Sequence, residues 1–254
     1  MHKALSVSYL YRRFFALTLI LCSAASASFA DESQALGGLW EIARGGQLYD
    51  EWYRVLGTSP PRYTHPAYPS EGRQEGSTTW RCKECHGWDY RGHEGAYGQG
   101  FHATGIKGIR DKARSDPRQI LNIIMDETHQ YTFEMIPLEE MKKLATFVSL
   151  GQIDTKLYID HETRRSYGDA KRGESPYQTL CAVCHDVDGK RALTTREEGM
   201  DGPEYMGTLA QNNPWEFLHK VRFGQPGIPM ISLITLPAED IVDILTYSQT
   251  LPAE

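Results

Sequence analysis

The sequence reads RCKECHG at 81–87 and LCAVCHD at 180–186. Each stretch holds Cys-x-x-Cys-His: Cys82, Cys85 and His86 in the first, Cys181, Cys184 and His185 in the second. The spacing lets two thiols add to the two vinyl groups of one haem while the adjacent imidazole reaches the iron, and it is the signature of c-type attachment. A thioredoxin-like redox pair or half of a zinc site also uses Cys-x-x-Cys, but neither needs a histidine directly after the second cysteine, twice. The two pairs lie 99 residues apart, each inside its own repeat. The expectation is two covalently attached c-type haems, with His86 and His185 as iron ligands.

Covalent haem attachment in bacteria takes place outside the cytoplasm, and the N-terminus agrees. Lys3, Arg12 and Arg13 precede the apolar run FFALTLILC and the small-residue stretch SAASASFA. This reads as a secretory signal peptide over 1–30, cleaved near Ala30, rather than a membrane span. Its removal leaves 24 basic against 33 acidic side chains, formally −9. So acidic a chain is a poor nucleic-acid binder and is steered toward basic patches on partners. Once Cys22 leaves with the signal, the only cysteines are the four in the motifs. No Walker loop, dinucleotide fingerprint or H-E-x-x-H is present, and EGAYGQG at 94–100 lacks the spacing of a phosphate cradle.

The remaining chain suits two domains of roughly a hundred residues each. A first domain is expected over 31–151, a polar linker over 152–167 and a second domain over 168–254. Each half closes on a segment with helical periodicity. In the first, Leu138, Met141, Leu144, Ala145 and Val148 follow Pro137; in the second, Ile241, Ile244, Leu245 and Ser248 follow Pro237. The halves differ where TSPPRYTHPAYPSEGRQEGSTTW at 58–80 intervenes between the opening helix and Cys82. With Pro60, Pro61, Pro66 and Pro69 it cannot be helical throughout. It reads as a surface loop, open to three roles: wrapping the first haem, docking the other domain, or none.

For the second haem, FGQPGIPM sets Met230 on a Gly/Pro loop, 45 residues after His185 and 7 before Pro237. A thioether held there can be the opposite ligand. The same arithmetic in the first half selects His129, 43 residues after His86 and 8 before Pro137. Met125 and Met135 fit less well, at 39 and 12 and at 49 and 2. Met125 also continues the apolar pattern of Ile120, Leu121 and Ile124, which reads as a buried helix face. His65, His93 and His102 lie outside the equivalent position. The opposite face of the first iron thus stays open between His129, Met125, Met135 and no protein ligand.

On these residues the chain resembles class I c-type cytochromes, and as a tandem it resembles the soluble di-haem cytochromes of bacterial respiratory chains. The resemblance covers 168–250 in order: the Gly-Asp start, CAVCH, the loop with Met230 and the final helix. It is looser over 40–151, where His129 takes the Met position and the proline-rich insertion intervenes. It implies an all-α fold of two small helical bundles, each built around one haem, with opening and closing helices packed together. The function expected is a periplasmic relay of single electrons between a donor and an acceptor protein, either of which can belong to a membrane-bound complex. The alternative is a di-haem oxidoreductase acting on thiosulfate or peroxide. Thiosulfate-oxidising di-haem cytochromes use a cysteine sulfur on the catalytic iron, and no mature cysteine is spare here.

Overall fold

A computed structural model of the protein describes residues 38–191, 193 and 204–253. The expected signal peptide lies outside them. Met1–Trp40 and Glu41–Glu254 are separate units, and the second is compact and carries both motifs. The described residues are mostly helical or in turns and form no strand, only the isolated bridges Gly92 to Lys107 and Ile159 to Ser166.

The same short pattern opens both halves. Helix α1 (38–56) carries Arg44-Gly45 and Tyr49, and α5 (Ala170–Pro176) carries Arg172-Gly173, followed by Tyr177 at the start of a π-helical turn, Tyr177–Cys181. Each glycine sits where its helix crosses a closing helix, α4 (Leu138–Thr146) or α9 (Ala238–Ser248). A Cβ at Gly45 would stand 2.2 Å from the Lys143 carbonyl oxygen, and one at Gly173 would stand 1.9 Å from that of Asp243. Only glycine permits backbones to approach this closely. The arginine beside each glycine pairs with an acid on the closing helix: Arg44 Nε with Glu140 at 2.9 Å, Arg172 Nε with Asp243 at 2.6 Å. Each tyrosine hydroxyl donates to the carbonyl just past a motif histidine, Tyr49 to Gly87 at 2.6 Å and Tyr177 to Asp186 at 3.2 Å.

The closing helices bury the faces their periodicity predicts. Met141, Leu144 and Ala145 are buried in α4 and Val148 in the π-helical turn after it (Phe147–Gly151), and Ile241, Ile244, Leu245 and Ser248 are buried in α9. Leu138 departs from the pattern at 38% exposed, because it occupies the first position of α4, beyond the crossing with α1.

The halves are interlocked rather than merely tethered. Gly46, next to Gly45, turns toward Phe223 of α8 (Pro214–Phe223), whose ring a Cβ would meet at 2.4 Å. His219 of α8, 2% exposed, donates from Nε2 to the Gly46 carbonyl at 2.9 Å and accepts at Nδ1 from the Tyr90 hydroxyl at 2.8 Å. Lys220 reaches Asp50 at 3.4 Å and Glu216 at 3.1 Å, and Asp50 also pairs with Arg81. Burial opposes charge on Asp50, yet Lys220 and Arg81 hold its carboxyl down to about 2. Trp88, two residues past His86, packs in the same core cluster as Tyr177, Phe217 and Ile244 of the second half. The segment 152–167, expected as a polar linker, is fastened in place: Ile159 is in that cluster, Arg164 donates to the Asn212 carbonyl and Ser166 to Gln249.

Two outcomes follow from these contacts. Gly173→Ala should lower the stability of the holoprotein in urea unfolding by about 1–3 kcal/mol; a change within about 0.5 kcal/mol would contradict the close helix crossing. Burial holds His219 neutral and pushes its pKa from 6.5 down to about 4. The unfolded chain therefore binds a proton that the folded chain refuses, and stability falls as pH drops from about 6.5 toward 4, by roughly 3 kcal/mol for this residue. His219→Gln, which keeps a donor and an acceptor, should flatten that limb of the stability–pH curve.

Candidate functional site

The first motif is the short helix α2 (Cys82–His86) and the second spans the end of the π-helical turn and α6 (Ala182–His185). The chain leaves both motif histidines in the same conformation: Gly87 at φ 77°, ψ 161° and Asp186 at φ 65°, ψ 159°. Asp186 is thus a non-glycine residue held at positive φ. The four thiols are unbridged, and burial pushes Cys82 and Cys85 up to about 12 and Cys181 up to about 11. A dithiol redox pair needs the opposite, a thiolate stabilised near neutral pH. Among the described residues no group of three or more His, Cys, Asp or Glu side chains is placed to hold a metal ion by itself.

In the first half the chain brings His86 and His129 together. Their ring centres are 6.1 Å apart and their planes 29° from parallel. His86 Nδ1 lies 2.8 Å from the Lys107 carbonyl, which assigns the proton to Nδ1 and leaves the lone pair on Nε2. Burial lowers the His86 pKa to about 4, so the ring is neutral and available as a ligand. His129 Nδ1 lies 3.0 Å from Asp126 Oδ1, which also accepts the backbone N–H groups of Thr128 and His129 at 2.9 Å each. Burial opposes ionisation of Asp126, but these hydrogen bonds win and hold its carboxyl below the usual range. Both imidazoles therefore carry a hydrogen-bonded Nδ1 and a bare Nε2, the arrangement that orients metal-bound histidine. A transition metal holds an imidazole nitrogen at about 2.0–2.1 Å with the ring centre roughly 1 Å behind it, so two rings sharing one ion have centres roughly 6 Å apart. The observed separation fits.

Met125 caps the end of α3 (Pro117–Ile124) and is 37% exposed, so it does not extend the buried face of Ile120 and Ile124, as its place in the apolar pattern predicts. The helix stops one residue too soon. His102 stacks on Tyr97 at 4.8 Å and faces Glu84 at 3.3 Å. His93 is paired loosely with Glu94 at 4.0 Å. His65 is buried against Trp80 and reaches the backbone of His129, a contact that sequence spacing does not reveal.

In the second half Cys181, Cys184, His185 and Met230 line one cavity of about 450 Å³. Its other walls include Leu180, Leu209, Phe217, Val221 and Leu233, with Glu216, Lys220 and Gln225 forming a polar corner. This is the size and character of a cofactor pocket, apolar with a few polar groups. Gln225 Oε1 accepts from Lys220 at 2.6 Å, while its buried Nε2 has no hydrogen-bond partner among the described residues. A buried donor without a partner in an otherwise apolar pocket fits a group with an acceptor, such as a haem carboxylate. Lys220, which sequence alone leaves undecided between a site and a solvated face, is buried because α8 is enclosed on nearly every side.

The comparisons with known proteins agree with this chemistry. The profile of the family described as "Cytochrome C oxidase, cbb3-type, subunit III" matches residues 168–247. A "Cytochrome c-553-like" protein of Synechocystis is 33% identical over 84 residues, which cover 33% of this chain and 70% of that protein. "Cytochrome c-type cyt cy" of Rhodobacter capsulatus is 27% identical over 111 residues, covering 37% of this chain and 55% of that protein. The matched stretch thus spans only about half the length of the second relative. No solved structure matches. The chain belongs to the c-type cytochromes, proteins that bind haem covalently through Cys-x-x-Cys-His.

Proposed function

We propose that the protein is an exported di-haem c-type cytochrome that relays single electrons between redox proteins. The observation that carries this reading is the pairing of each motif with a second donor: His86 with His129 across 6.1 Å, and His185 with Met230 in one cavity. In this reading Cys82 and Cys85 anchor one haem and Cys181 and Cys184 the other, and the two repeats, 31–151 and 168–254, hold one haem each. Haem iron supplies reversible one-electron chemistry between its ferric and ferrous states. His86 and His129 would hold the iron at one site and His185 and Met230 at the other, leaving no position for a substrate. Leu209, Phe217, Val221 and Leu233 keep water from the second site.

The ligands set the direction of flow. Thioether ligation raises the potential relative to two imidazoles, so the site of His185 and Met230 would hold an electron more tightly than that of His86 and His129, and flow would run from the first site to the second. Neither transfer makes or breaks a bond. Six more acidic than basic side chains in the whole chain favour partners with basic docking patches. Among the described residues no helix is long and apolar enough to cross a membrane. Export through residues 1–30 would place the relay in the periplasm.

Electron paramagnetic resonance on the ferric holoprotein tests the ligand sets directly. Two low-spin signals are expected, with His129→Ala converting one to high spin and Met230→Ala altering the other. Redox titration should place the His129-dependent signal at the lower potential. A high-spin signal in the unmutated protein would contradict closed sites and favour an enzyme acting on thiosulfate or peroxide.

A further inference from the structure

We infer that the proline-rich segment before the first motif is a strap that holds His129 in place, with His65 as its positioning residue. The inference rests on the reading of His129 as an axial ligand.

His65 is 6% exposed and both of its ring nitrogens are engaged. The Ala67 N–H donates to Nδ1 at 3.1 Å, which puts the ring proton on Nε2, and Nε2 donates to the His129 carbonyl at 2.9 Å. The two residues are 64 positions apart, whereas the Asp126 bonds to His129 are local to its own turn. A second tie lies two residues on, where the Tyr131 hydroxyl donates to the Trp80 carbonyl at 2.7 Å. That carbonyl also accepts from Trp52 Nε1 of α1 at 2.9 Å. Residues 129–131 are thus fastened at both ends to the segment that leads into Cys82.

The strap is itself held firmly. The His65 N–H donates to Thr79 Oγ1 at 2.8 Å, the Gly76 N–H to Thr64 Oγ1 at 3.0 Å, and Trp80 Nε1 to the Tyr63 carbonyl at 2.9 Å. The His65 ring centre lies 4.3 Å from that of Trp80, with Tyr131 5.7 Å from Trp80 on an edge-on approach.

The second repeat shows why such a device is needed. Its ligand loop, FGQPGIPM, is stiffened by Pro226 and Pro229, with Gly224 and Gly227 taking its positive-φ turns. The corresponding MDETHQYTFEM at 125–135 has neither proline nor glycine, and Gln130 holds φ 57° without glycine's freedom. Rigidity absent from the loop comes from the strap. Accordingly Tyr177 lies four residues before Cys181, while Tyr49 and Cys82 are separated by 33.

Cyanide binding to the ferric full-length holoprotein, followed through the spectroscopic signal of the first haem, tests this. His65→Leu should admit cyanide at least about fivefold faster than the unmutated protein, the effect of one lost hydrogen bond on ligand opening. His65→Gln, which restores a donor and an acceptor, should return the rate to within about twofold. Tyr131→Phe, which removes the second tie together with the hydroxyl's contact to Cys82, should shift it in the same direction as His65→Leu. The signal of the second haem should be unchanged in all three and reports that they are folded. If His129→Ala opens the site but His65→Leu and Tyr131→Phe bind cyanide like the unmutated protein, the strap is refuted and the ligand stands. If His129→Ala itself changes nothing, the ligand reading fails and the inference with it.

Discussion

Everything at the two sites depends on a pair of backbone contacts that only glycine allows. Gly45 against the Lys143 carbonyl and Gly173 against the Asp243 carbonyl bring an opening and a closing helix into direct contact. That contact fixes the axial rotation of the opening helix, and four residues later it fixes Tyr49 or Tyr177. The tyrosine in turn holds the carbonyl after the motif histidine. A displacement of one helix against the other would therefore move the imidazole. The arginine before each glycine, paired to the closing helix, resists such sliding.

Built on this shared frame, the halves have become unequal. The first spends a long insertion on one loop, and its α1 has two small faces: Gly45 for its own closing helix and Gly46 for α8 of the other half. Asp50, Arg81, Lys220 and Glu216 carry buried charge between the first motif and the cavity of the second. Buried ion pairs add little net stability, but removing one partner leaves the other stranded at a cost of about 3–5 kcal/mol. Such a network tolerates one arrangement and penalises others. It favours a fixed separation between the two motifs, which the proposed relay would need because electron transfer is sensitive to distance.

Much of this was legible in the sequence where a local rule governs the outcome. The motifs stand out by spacing alone. Counting from His86 and His185 selects His129, and the structure sets its ring 6.1 Å from that of His86, because the repeats preserve the length between motif and closing helix. The buried faces of α4 and α9 follow from helical period. Arg-Gly-x-x-x-Tyr, at 44–49 and 172–177, was also there to be read as the mark of both opening helices. What was not legible depends on contacts between distant segments. His65 is a lone histidine among prolines, with no periodic partner to signal its reach to residue 129. His219 and Lys220 sit in HKVR, whose composition does not decide between a site and a solvated face; tertiary packing, which encloses α8, decides it.

The central claim is that one chain carries two covalent haems, each on its own Cys-x-x-Cys-His. Intact-mass spectrometry of the exported, denatured protein tests it most directly, alongside a variant with Cys82 and Cys85 replaced by alanine. The account predicts a mature chain heavier by two haems, and by one in the variant. A single haem on the unmutated chain, or a variant that still carries two, would contradict it.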